Sequence, residues 1–231
     1  FKDNSGVALY TLDYDASDTG GASGKFGEAA IFNGSSSKIE SNILQSTNMT
    51  FSFWFQTETV GEREYLMGFN TSGSAGYIST RLNANDTIGI AYWNGSTYAA
   101  VSSSAITRNT NYNHICITIS GTSYSIYYNG NSLGSGTLSG FSASSRTDFV
   151  MGFDAPTGSG GYMNGSIDQV RIFNKAISSS EVTTLYNETK NTTNTLQILE
   201  DTSCIATYPL DGSSTDLSGN YNGTDTNIIY K

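Results

Sequence analysis

The most constraining stretch of the sequence is 162–188, because it places a turn, a strand and a helix in succession. Asn164-Gly165 is a turn dipeptide, and the run 167–173 after it is rich in the β-branched and aromatic residues of half-buried strands. Residues 178–181, Ser-Ser-Ser-Glu, match a helix capping box and are followed by apolar residues at helical spacing. This is the only convincing helix in the chain, so we expect an almost entirely β-structured protein with one short helix near its C-terminal end.

The rest of the chain alternates short apolar runs with turn residues. Asn94-Gly95, Gly121 and Asn129-Gly130 are hairpin signals between such runs. The runs predicted to form strands are 7–13, 49–55, 77–82, 87–93, 98–101, 114–119, 123–128 and 149–153. Short strands separated by turns at intervals of about 8–12 residues predict an antiparallel sandwich of two sheets.

Four motifs carry a resemblance to a known family. They are G-K-F-G-x-A-x-x-F-x-G at 24–34, F-S-x-W at 51–54, N-H-I-x-I-T-I-x-G-x-x-Y-x-I-Y-Y-N-G at 113–130 and G-x-I-D-x-V-R-I-F-N-x-A-I-S-x-x-E-V-x-x-L-Y-N at 165–187. Together they resemble the laminin G-like, concanavalin A-like lectin and glucanase jelly-roll family. The resemblance implies an all-β, two-sheet jelly roll with a short C-terminal helix, as found in extracellular lectins, adhesion modules, carbohydrate-binding modules and glucanases.

Composition excludes some functions. The net charge of −9 disfavours nucleic acid, since a phosphate backbone needs basic side chains to neutralise it. No apolar run approaches the roughly 18 residues that a membrane span needs. Only 13% of residues are charged while Ser, Thr, Asn and Gly abound, a composition common in secreted and virion-surface β proteins. Residue 1 is Phe and no signal peptide is visible, so we expect the numbering to start inside a longer precursor.

Catalysis is not expected. Catalytic relatives carry paired carboxylates in the pattern E-x-D-x-E, and retaining glycosidases need two carboxyl groups about 5–5.5 Å apart. The nearest pair, Glu62 and Glu64, flanks Arg63 in a stretch that we predict to be a solvated loop. The single histidine, His114, falls where the resemblance implies a structural residue.

Calcium is the ion that the resemblance implies, because many members of the family bind it at the sandwich rim through Asp side chains and backbone oxygens. The candidate ligands are Asp13, Asp15, Asp18 and Asp168. Asp168 has an alternative role, that of accepting backbone N–H groups in the turn before its strand.

The best candidate for sugar binding is the hairpin that contains Tyr92, Trp93, Asn94 and Tyr98. Aromatic rings can pack against the apolar faces of sugars, and an adjacent Asn can hydrogen-bond to hydroxyl groups. Alternatively, Trp93 lies at the edge of the sheet and only shields it from solvent, without binding a ligand. Trp54, in contrast, is predicted to belong to the core.

Cys116 and Cys204 allow one disulfide, which an extracellular setting would favour; the alternative is that Cys116 is a small buried core residue. Sequons are frequent, and the glycosylation candidates are Asn33, Asn94, Asn164 and Asn222. Frequent Asn, Ser and Thr would also produce sequons by chance.

An internal repeat divides the chain. Residues 204–212 mirror 7–13, and 218–230 resemble the usual family continuation of that opening, which is missing after residue 13. We therefore predict a jelly-roll domain over 1–188, an Asn/Thr-rich linker over 189–203, and a segment over 204–231 that either opens a second repeat or donates a strand to a sandwich. Orphan strands would otherwise leave backbone groups unpaired.

Two functions remain open at this point. The first is an extracellular, non-enzymatic carbohydrate-binding or adhesion module of a repetitive surface protein, with a glycan or cell-surface ligand as its partner. The second is a structural subunit of an extracellular filament or virion fibre, in which identical subunits join head to tail by strand donation.

Overall fold

The computed structural model describes residues 24–57, 61–69, 75–108, 111–154, 161–189 and 198–231. Within these ranges the chain forms short strands and one helix, α1 (Ser179–Tyr186). The strands are β1 (Ala30–Asn33), β2 (Lys38–Ser41), β3 (Asn48–Thr57), β4 (Glu64–Phe69), β5 (Ile78–Leu82), β6 (Thr87–Trp93), β7 (Tyr98–Ala105), β8 (Asn113–Ser120), β9 (Ser123–Tyr128), β10 (Asn131–Thr137), β11 (Phe149–Met151), β12 (Phe153–Asp154), β13 (Gly161–Tyr162), β14 (Asn164–Phe173), β15 (Cys204–Tyr208), β16 (Thr224–Thr226) and β17 (Ile229–Tyr230).

The strands form two large antiparallel sheets. The eight-stranded sheet has the order β10-β9-β8-β3-β14-β1-β17, and β15 pairs with β14 beyond the end of β1. The seven-stranded sheet has the order β16-β2-β11-β4-β5-β6-β7, and β12 and β13 form a separate hairpin. The predicted all-β sandwich with one short helix is therefore confirmed.

The core between the sheets is built by alternation along the strands. In β3, Phe51, Phe53 and Phe55 point inward and are almost fully buried. They meet side chains of the opposite sheet such as Phe149, whose ring stacks 6.0 Å from that of Phe51. Burying each such side chain stabilises the fold by roughly 1.5–3 kcal/mol, so this interior contributes most of the stability.

Helix α1 covers the outer face of the eight-stranded sheet. Its N-cap is Ser178, whose side chain accepts from the backbone N–H of Glu181, while the Glu181 side chain accepts from the Ser178 backbone, as the capping box predicts. Val182 and Leu185 are buried against this face, and Ile177 packs beside them before the cap. The helix thus forms a lid of apolar side chains over one sheet.

A bulge in β14 sets which side chains face this helix. Gln169 has φ of +49°, and the pairing with β3 shifts between Asp168 and Arg171. Regular alternation would put those two residues on opposite faces of the sheet. The extra residue instead turns both toward the helix-covered face.

Residues 204–231 complete the same sandwich rather than forming a separate unit. β15 pairs with β14, β16 with β2 and β17 with β1, so the segment adds strands to both sheets. At its end, Lys231 and Ala29 exchange backbone hydrogen bonds of 2.8 and 3.2 Å. The boundary predicted at residue 188 therefore does not separate two folded bodies in this structure.

Among the described residues, no helix is both long enough and apolar enough to cross a lipid bilayer.

Candidate functional site

The predicted sugar-binding hairpin is formed by β6 and β7, which pair Trp93 directly with Tyr98. The rings of these two residues make an edge-to-face contact, with centroids 5.2 Å apart. Both are half-exposed on the outer face of the seven-stranded sheet. The structure thus brings two of the predicted residues together where a ligand could reach them.

Tyr92 does not belong to this surface, contrary to the prediction. It is 4% exposed and packs edge-to-face on Phe141 inside the core. The reason is strand alternation, which sends Tyr92 inward because its neighbour Trp93 points outward. Asn94 lies in the turn, where its side-chain oxygen accepts from the backbone N–H groups of Ser96 and Thr97. Its main role in the structure is to shape that turn.

Tyr77 was missed by the sequence analysis; it faces outward but is only 1% exposed, so it supports the half-exposed rings of this surface and does not itself offer a face to a ligand. It precedes β5, and its ring meets that of Tyr98 edge-to-face at 5.2 Å. Neither Tyr77, Trp93 nor Tyr98 is part of the interior cluster. These three side chains form a continuous row, which we call the aromatic wall.

Small residues lie beside the aromatic wall. The register of four adjacent strands aligns Gly68, Ser79, Ala91 and Ala100 in one row across the outer face. Ser79 and Ala91 are only 2% and 6% exposed, because larger neighbours rise on both sides of the row.

On the far side of this row, the next outward positions are Tyr65 and Arg81, which are paired across β4 and β5. Tyr77 and Arg81 are four residues apart along one strand, so the two sides are separated by about 13 Å between Cα atoms. We call the row of small residues, the aromatic wall, Tyr65 and Arg81 the outer trough.

A second concave feature is an open groove of about 520 Å³ at one end of the seven-stranded sheet, which we call the rim groove. It is lined by Glu40, Ser41, Asn42, Thr147, Asp148, Phe149, Gly219, Asn220, Asn222 and Thr224. Its acidic side chains already have partners, since Asp148 binds Arg146 and Glu40 binds Lys38. Its lining offers amide and hydroxyl groups, and its one aromatic residue, Phe149, points into the core.

Asp168 is the one predicted calcium ligand within the described residues; Asp13, Asp15 and Asp18 lie outside them. The Asp168 carboxyl group is fully buried, and its Oδ2 accepts from the backbone N–H of Phe26 at 3.0 Å. Its Oδ1 has no hydrogen-bond partner in the described part of the chain. Burial raises the pKa of Asp168 well above its usual range, and the nearby charge of Asp211 acts in the same direction, whereas the backbone N–H groups of Phe26, Gln169 and Lys25 act against this shift. These amide groups agree with the alternative role of accepting backbone N–H groups.

Asp211 occupies the place that the sequence suggested for Asp13. The two residues are equivalent in the internal repeat, and the structure puts Asp211 just after β15, beside Asp168 and residues 24–28. Its Oδ1 accepts from the backbone N–H of Glu28 at 2.8 Å. Within the described ranges no group of three or more His, Cys, Asp or Glu side chains could hold a metal ion. Any ion here would use two carboxylates and complete its shell with backbone oxygens or water.

The covered face of the eight-stranded sheet contains a buried polar network. Arg171 forms a fully buried ion pair with Glu188, and Glu188 also accepts from the indole N–H of Trp54 at 3.2 Å. Trp54 is 3% exposed, stacks on Tyr186, and lies under the ammonium group of Lys25 at 4.1 Å. The prediction that Trp54 is a core residue is confirmed.

His114 belongs to the same network. Its Nε2 lies 2.8 Å from the Ser52 hydroxyl oxygen. Burial, assisted by the positive charges of Arg171 and Lys25, lowers its pKa to about 3. The imidazole is therefore neutral at physiological pH, as suits the structural role expected for it.

The predicted disulfide between Cys116 and Cys204 is not formed, and both thiols are free and buried. Strand order explains why. Cys116 lies on β8 and Cys204 on β15, with β3 and β14 between them. Three strand spacings of about 4.8 Å place the backbones roughly 14 Å apart, whereas a disulfide needs Cα atoms within about 7 Å. Both side chains instead pack in the apolar cluster beneath α1.

The remaining predicted positions are dispersed. The side-chain oxygens of Asn33 and Asn222 accept backbone hydrogen bonds in turns, and Asn164 opens β14. Glycosylation of Asn33, Asn94, Asn164 and Asn222 stays a prediction. Glu64, expected in a solvated loop, is 2% exposed in β4, where it accepts from Thr57 and from the backbone of Asn164.

The sequence matches a known protein family that has this architecture. The model of the concanavalin A-like lectin/glucanases superfamily matches residues 32–183. No curated protein sequence matches the chain.

Three solved structures illustrate the likeness. A candidate carbohydrate-binding protein from Bacteroides ovatus is 17% identical with a TM-score of 0.65, over 88% of this chain and 59% of that one. Domain 4 of an extracellular arabinanase from Geobacillus stearothermophilus, bound to arabinotriose, is 22% identical with a TM-score of 0.55, over 72% and 80%. A sialidase carbohydrate-binding module from Ruminococcus gnavus, bound to sialyllactose, is 13% identical with a TM-score of 0.52, over 62% and 84%.

At these identities the likeness concerns the fold alone. The chain spans 59% of the length of the Bacteroides protein. The family match extends over most of the sandwich and includes β3, β8, β14 and the capping box of α1. The chain belongs to the concanavalin A-like lectin/glucanase superfamily.

Proposed function

We propose that this chain is an extracellular, non-enzymatic carbohydrate-binding module that serves adhesion within a repetitive surface protein. The structural neighbours include modules that hold arabinotriose and sialyllactose, and one of them comes from an extracellular enzyme. The residues that form the outer trough include no carboxylate, whereas glycoside hydrolysis needs two. The partner is a glycan on a cell surface or in a matrix.

The observation that carries this proposal is the pairing of Trp93 with Tyr98 on the outer face, beside a row of small residues. A flat apolar ring next to a low floor lets a sugar ring lie against the aromatic wall. The faces of the aromatic rings would pack on the C–H groups of the sugar, while protein hydroxyl groups such as that of Ser79 would lie beneath the sugar. An adhesion site of this form needs no catalytic group.

The test is a glycan array followed by calorimetry on the best ligand. Trp93→Ala is expected to weaken binding at least tenfold while the unfolding temperature changes little, because Trp93 is half-exposed. Asn220→Ala in the rim groove is the matched control and should bind normally. If Asn220→Ala abolishes binding and Trp93→Ala does not, the rim groove is the glycan site. If no glycan binds, the proposal is wrong.

We also propose calcium at Asp168 and Asp211. The support is the buried Oδ1 of Asp168 without a hydrogen-bond partner in the described chain, next to a second carboxylate. Calcium prefers hard oxygen ligands of this kind, and its charge would keep both carboxyl groups ionised. The ion would tie β14 to the residues after β15 and to residues 24–28, so its role is structural.

A second candidate function is a structural subunit assembled by strand donation. It is favoured by the position of 204–231, which supplies strands to both sheets, and by the sequence repeat of its first part at 7–13. One sandwich position therefore has two similar sequences that could fill it. If 204–231 fills the position in a neighbouring subunit, the exchange is head to tail and builds a filament of an extracellular or virion fibre.

Light scattering over a concentration series tests this second function. Strand exchange predicts concentration-dependent oligomers and fibres in negative-stain images. It also predicts that a chain truncated at Asn194 loses several kcal/mol of stability and regains it when a 204–231 peptide is added. A full-length protein that stays monomeric at high concentration would show that the segment pairs only within its own chain.

A further inference from the structure

Arg81 occupies an unusual place for a cation. It points outward from β5 on the side of the outer trough opposite the aromatic wall, between Tyr65 on β4 and Gly89 on β6. A Cβ atom at Gly89 would lie 3.2 Å from the Arg81 Nε and 3.3 Å from its Cγ. The absence of a side chain at Gly89 thus lets Arg81 lie across the neighbouring strand.

The neighbours of Arg81 fix this arrangement. A Cβ atom at Gly89 would also come within 2.7 Å of the Asn83 side-chain nitrogen. Asn83 in turn donates to the hydroxyl groups of Thr87 and Ser102, so its amide is held on the far side of the arginine stem. On the other flank, the ring of Tyr65 is covered closely by Gly161 of the β12–β13 hairpin. Arg81 is therefore bounded on both sides by residues that are themselves fixed.

Within the described residues, Arg81 has no acceptor. In the part of the chain that the structure describes, its Nε is buried and makes no hydrogen bond, and its guanidinium forms no ion pair. The other covered arginines are paired, Arg108 with Asp86, Arg146 with Asp148 and Arg171 with Glu188. The chain has a net charge of −9, yet none of the carboxylates in the described ranges pairs with Arg81.

We propose that Arg81 binds the carboxylate of an acidic sugar lying in the outer trough. The guanidinium presents paired N–H donors in a fixed plane, which matches a carboxylate in a bidentate manner. The aromatic wall on the opposite side would hold the sugar ring, about 13 Å away between backbones, and the small residues leave room between them. This deepens the proposed function and rests on it.

The geometry distinguishes a carboxylated sugar from a neutral one. A neutral sugar could offer only hydroxyl groups to Arg81, and these accept weaker hydrogen bonds than an ionised group does. Since both side chains that flank Arg81 are held by their own contacts, the arginine needs little reorganisation to meet an anion. A carboxylate held there would also fill the hydrogen-bonding capacity that the protein leaves unused.

Binding measured by calorimetry with two matched ligand pairs tests the proposal. The first pair is trigalacturonate and its carboxyl-reduced, neutral counterpart; the second is sialyllactose and lactose. We expect at least one acidic member to bind tenfold to a hundredfold more tightly than its neutral partner, as loss of one charged hydrogen-bonded pair implies. Arg81→Gln should remove this difference, and Arg81→Lys should remove most of it, because an ammonium group cannot bind in a bidentate manner.

Arg63→Gln is the matched control, since Arg63 is an exposed arginine just before β4. It should leave the acidic preference intact. If neutral sugars bind in a Trp93-dependent manner and Arg81→Gln changes nothing, the acidic ligand is ruled out while the carbohydrate function stands. If sulfated lactose binds Arg81 as tightly as sialyllactose, selectivity for the carboxylate is refuted. Absence of binding to every probe overturns both proposals.

Discussion

The two sheets carry outer faces of opposite character. On the eight-stranded sheet, α1 and the residues after it cover the strands, and the charged side chains beneath are paired, as Arg171 is with Glu188. On the seven-stranded sheet, no helix of the described ranges covers the central strands, whose outward residues include small side chains, half-exposed aromatic rings and Arg81, which has no ion-pair partner among those same residues.

The difference concerns how each face satisfies its polar groups. A buried ion pair needs a partner inside the protein, because an unpaired buried charge costs several kcal/mol. The covered face meets that need internally and gains rigidity from it. The open face leaves hydrogen-bonding capacity for a ligand, which is what a recognition surface requires.

The largest expected effect on stability is that of replacing Arg171, and it contrasts with the small effect expected for Arg81. Arg171→Leu should lower the free energy of unfolding by about 3–5 kcal/mol, because it leaves Glu188 buried without its partner. Arg81→Leu, its counterpart on the open face, should change stability by less than about 0.5 kcal/mol. Urea denaturation of both variants measures the contrast. Equal losses would mean that the two faces do not differ as described.

Calcium removal is expected to have the next largest effect, and it acts on the covered side. At a calcium concentration 100 times the Kd, the ion should add about 2.7 kcal/mol to stability, which EDTA would remove. Asp168→Asn should abolish this response. Asp148→Asn serves as control, because that carboxylate already binds Arg146 in the rim groove. A thermal unfolding curve unaffected by calcium in the unmodified protein would refute the site.

Acid should destabilise the covered face through His114. Its pKa is about 3 when folded and about 6.5 when unfolded, so the unfolded state binds more protons between these values. The part of the free energy of unfolding that depends on a neutral His114 is therefore fully present above about pH 6.5 and is lost progressively as the pH falls toward 3. Between pH 7 and pH 5 this loss amounts to about 2 kcal/mol. The raised pKa values of Asp168 and Glu188 act in the opposite direction. The difference between the pH profiles of the unmodified protein and His114→Gln isolates the histidine; parallel profiles would contradict the prediction.

The smallest expected effect is that of a reductant. Because Cys116 and Cys204 are free, dithiothreitol should leave the unfolding temperature unchanged. Alkylation after denaturation without reductant should modify both thiols, whereas alkylation of the native protein should be slow because both are buried. If the mass of the alkylated protein showed two modified thiols only after treatment with a reductant, the disulfide would be present after all.

Much of the fold could be predicted from the sequence, since the decisive signals are local. The capping box at Ser178 and Glu181 and the alternation of Phe51, Phe53 and Phe55 each depend on neighbours a few residues away. The same alternation could have shown that Tyr92 and Trp93 face opposite ways, had it been applied to β6.

The rest depends on register between distant strands. The alignment of Gly68 with Ser79 and Ala91, and of Arg81 with Gly89, exists only once four strands have paired. The bulge at Gln169, which directs Asp168 and Arg171 to one face, leaves no local mark in the sequence. The disulfide prediction failed for the same reason, because spacing along the chain does not reveal how many strands separate two cysteines.

The backbone hydrogen bonds between Lys231 and Ala29 have a consequence for connectivity. Since residue 231 lies beside the start of β1, the strands are arranged in space as if the chain ran from residue 204 to 231 and then continued from residue 24 into β1. A chain joined in that order should form the same sandwich, with β16 and β17 brought close in sequence to their partners β2 and β1 and with β15 moved far from its partner β14. Because these two changes in sequence separation oppose each other, the permuted chain should fold at a rate similar to that of the chain in its present order.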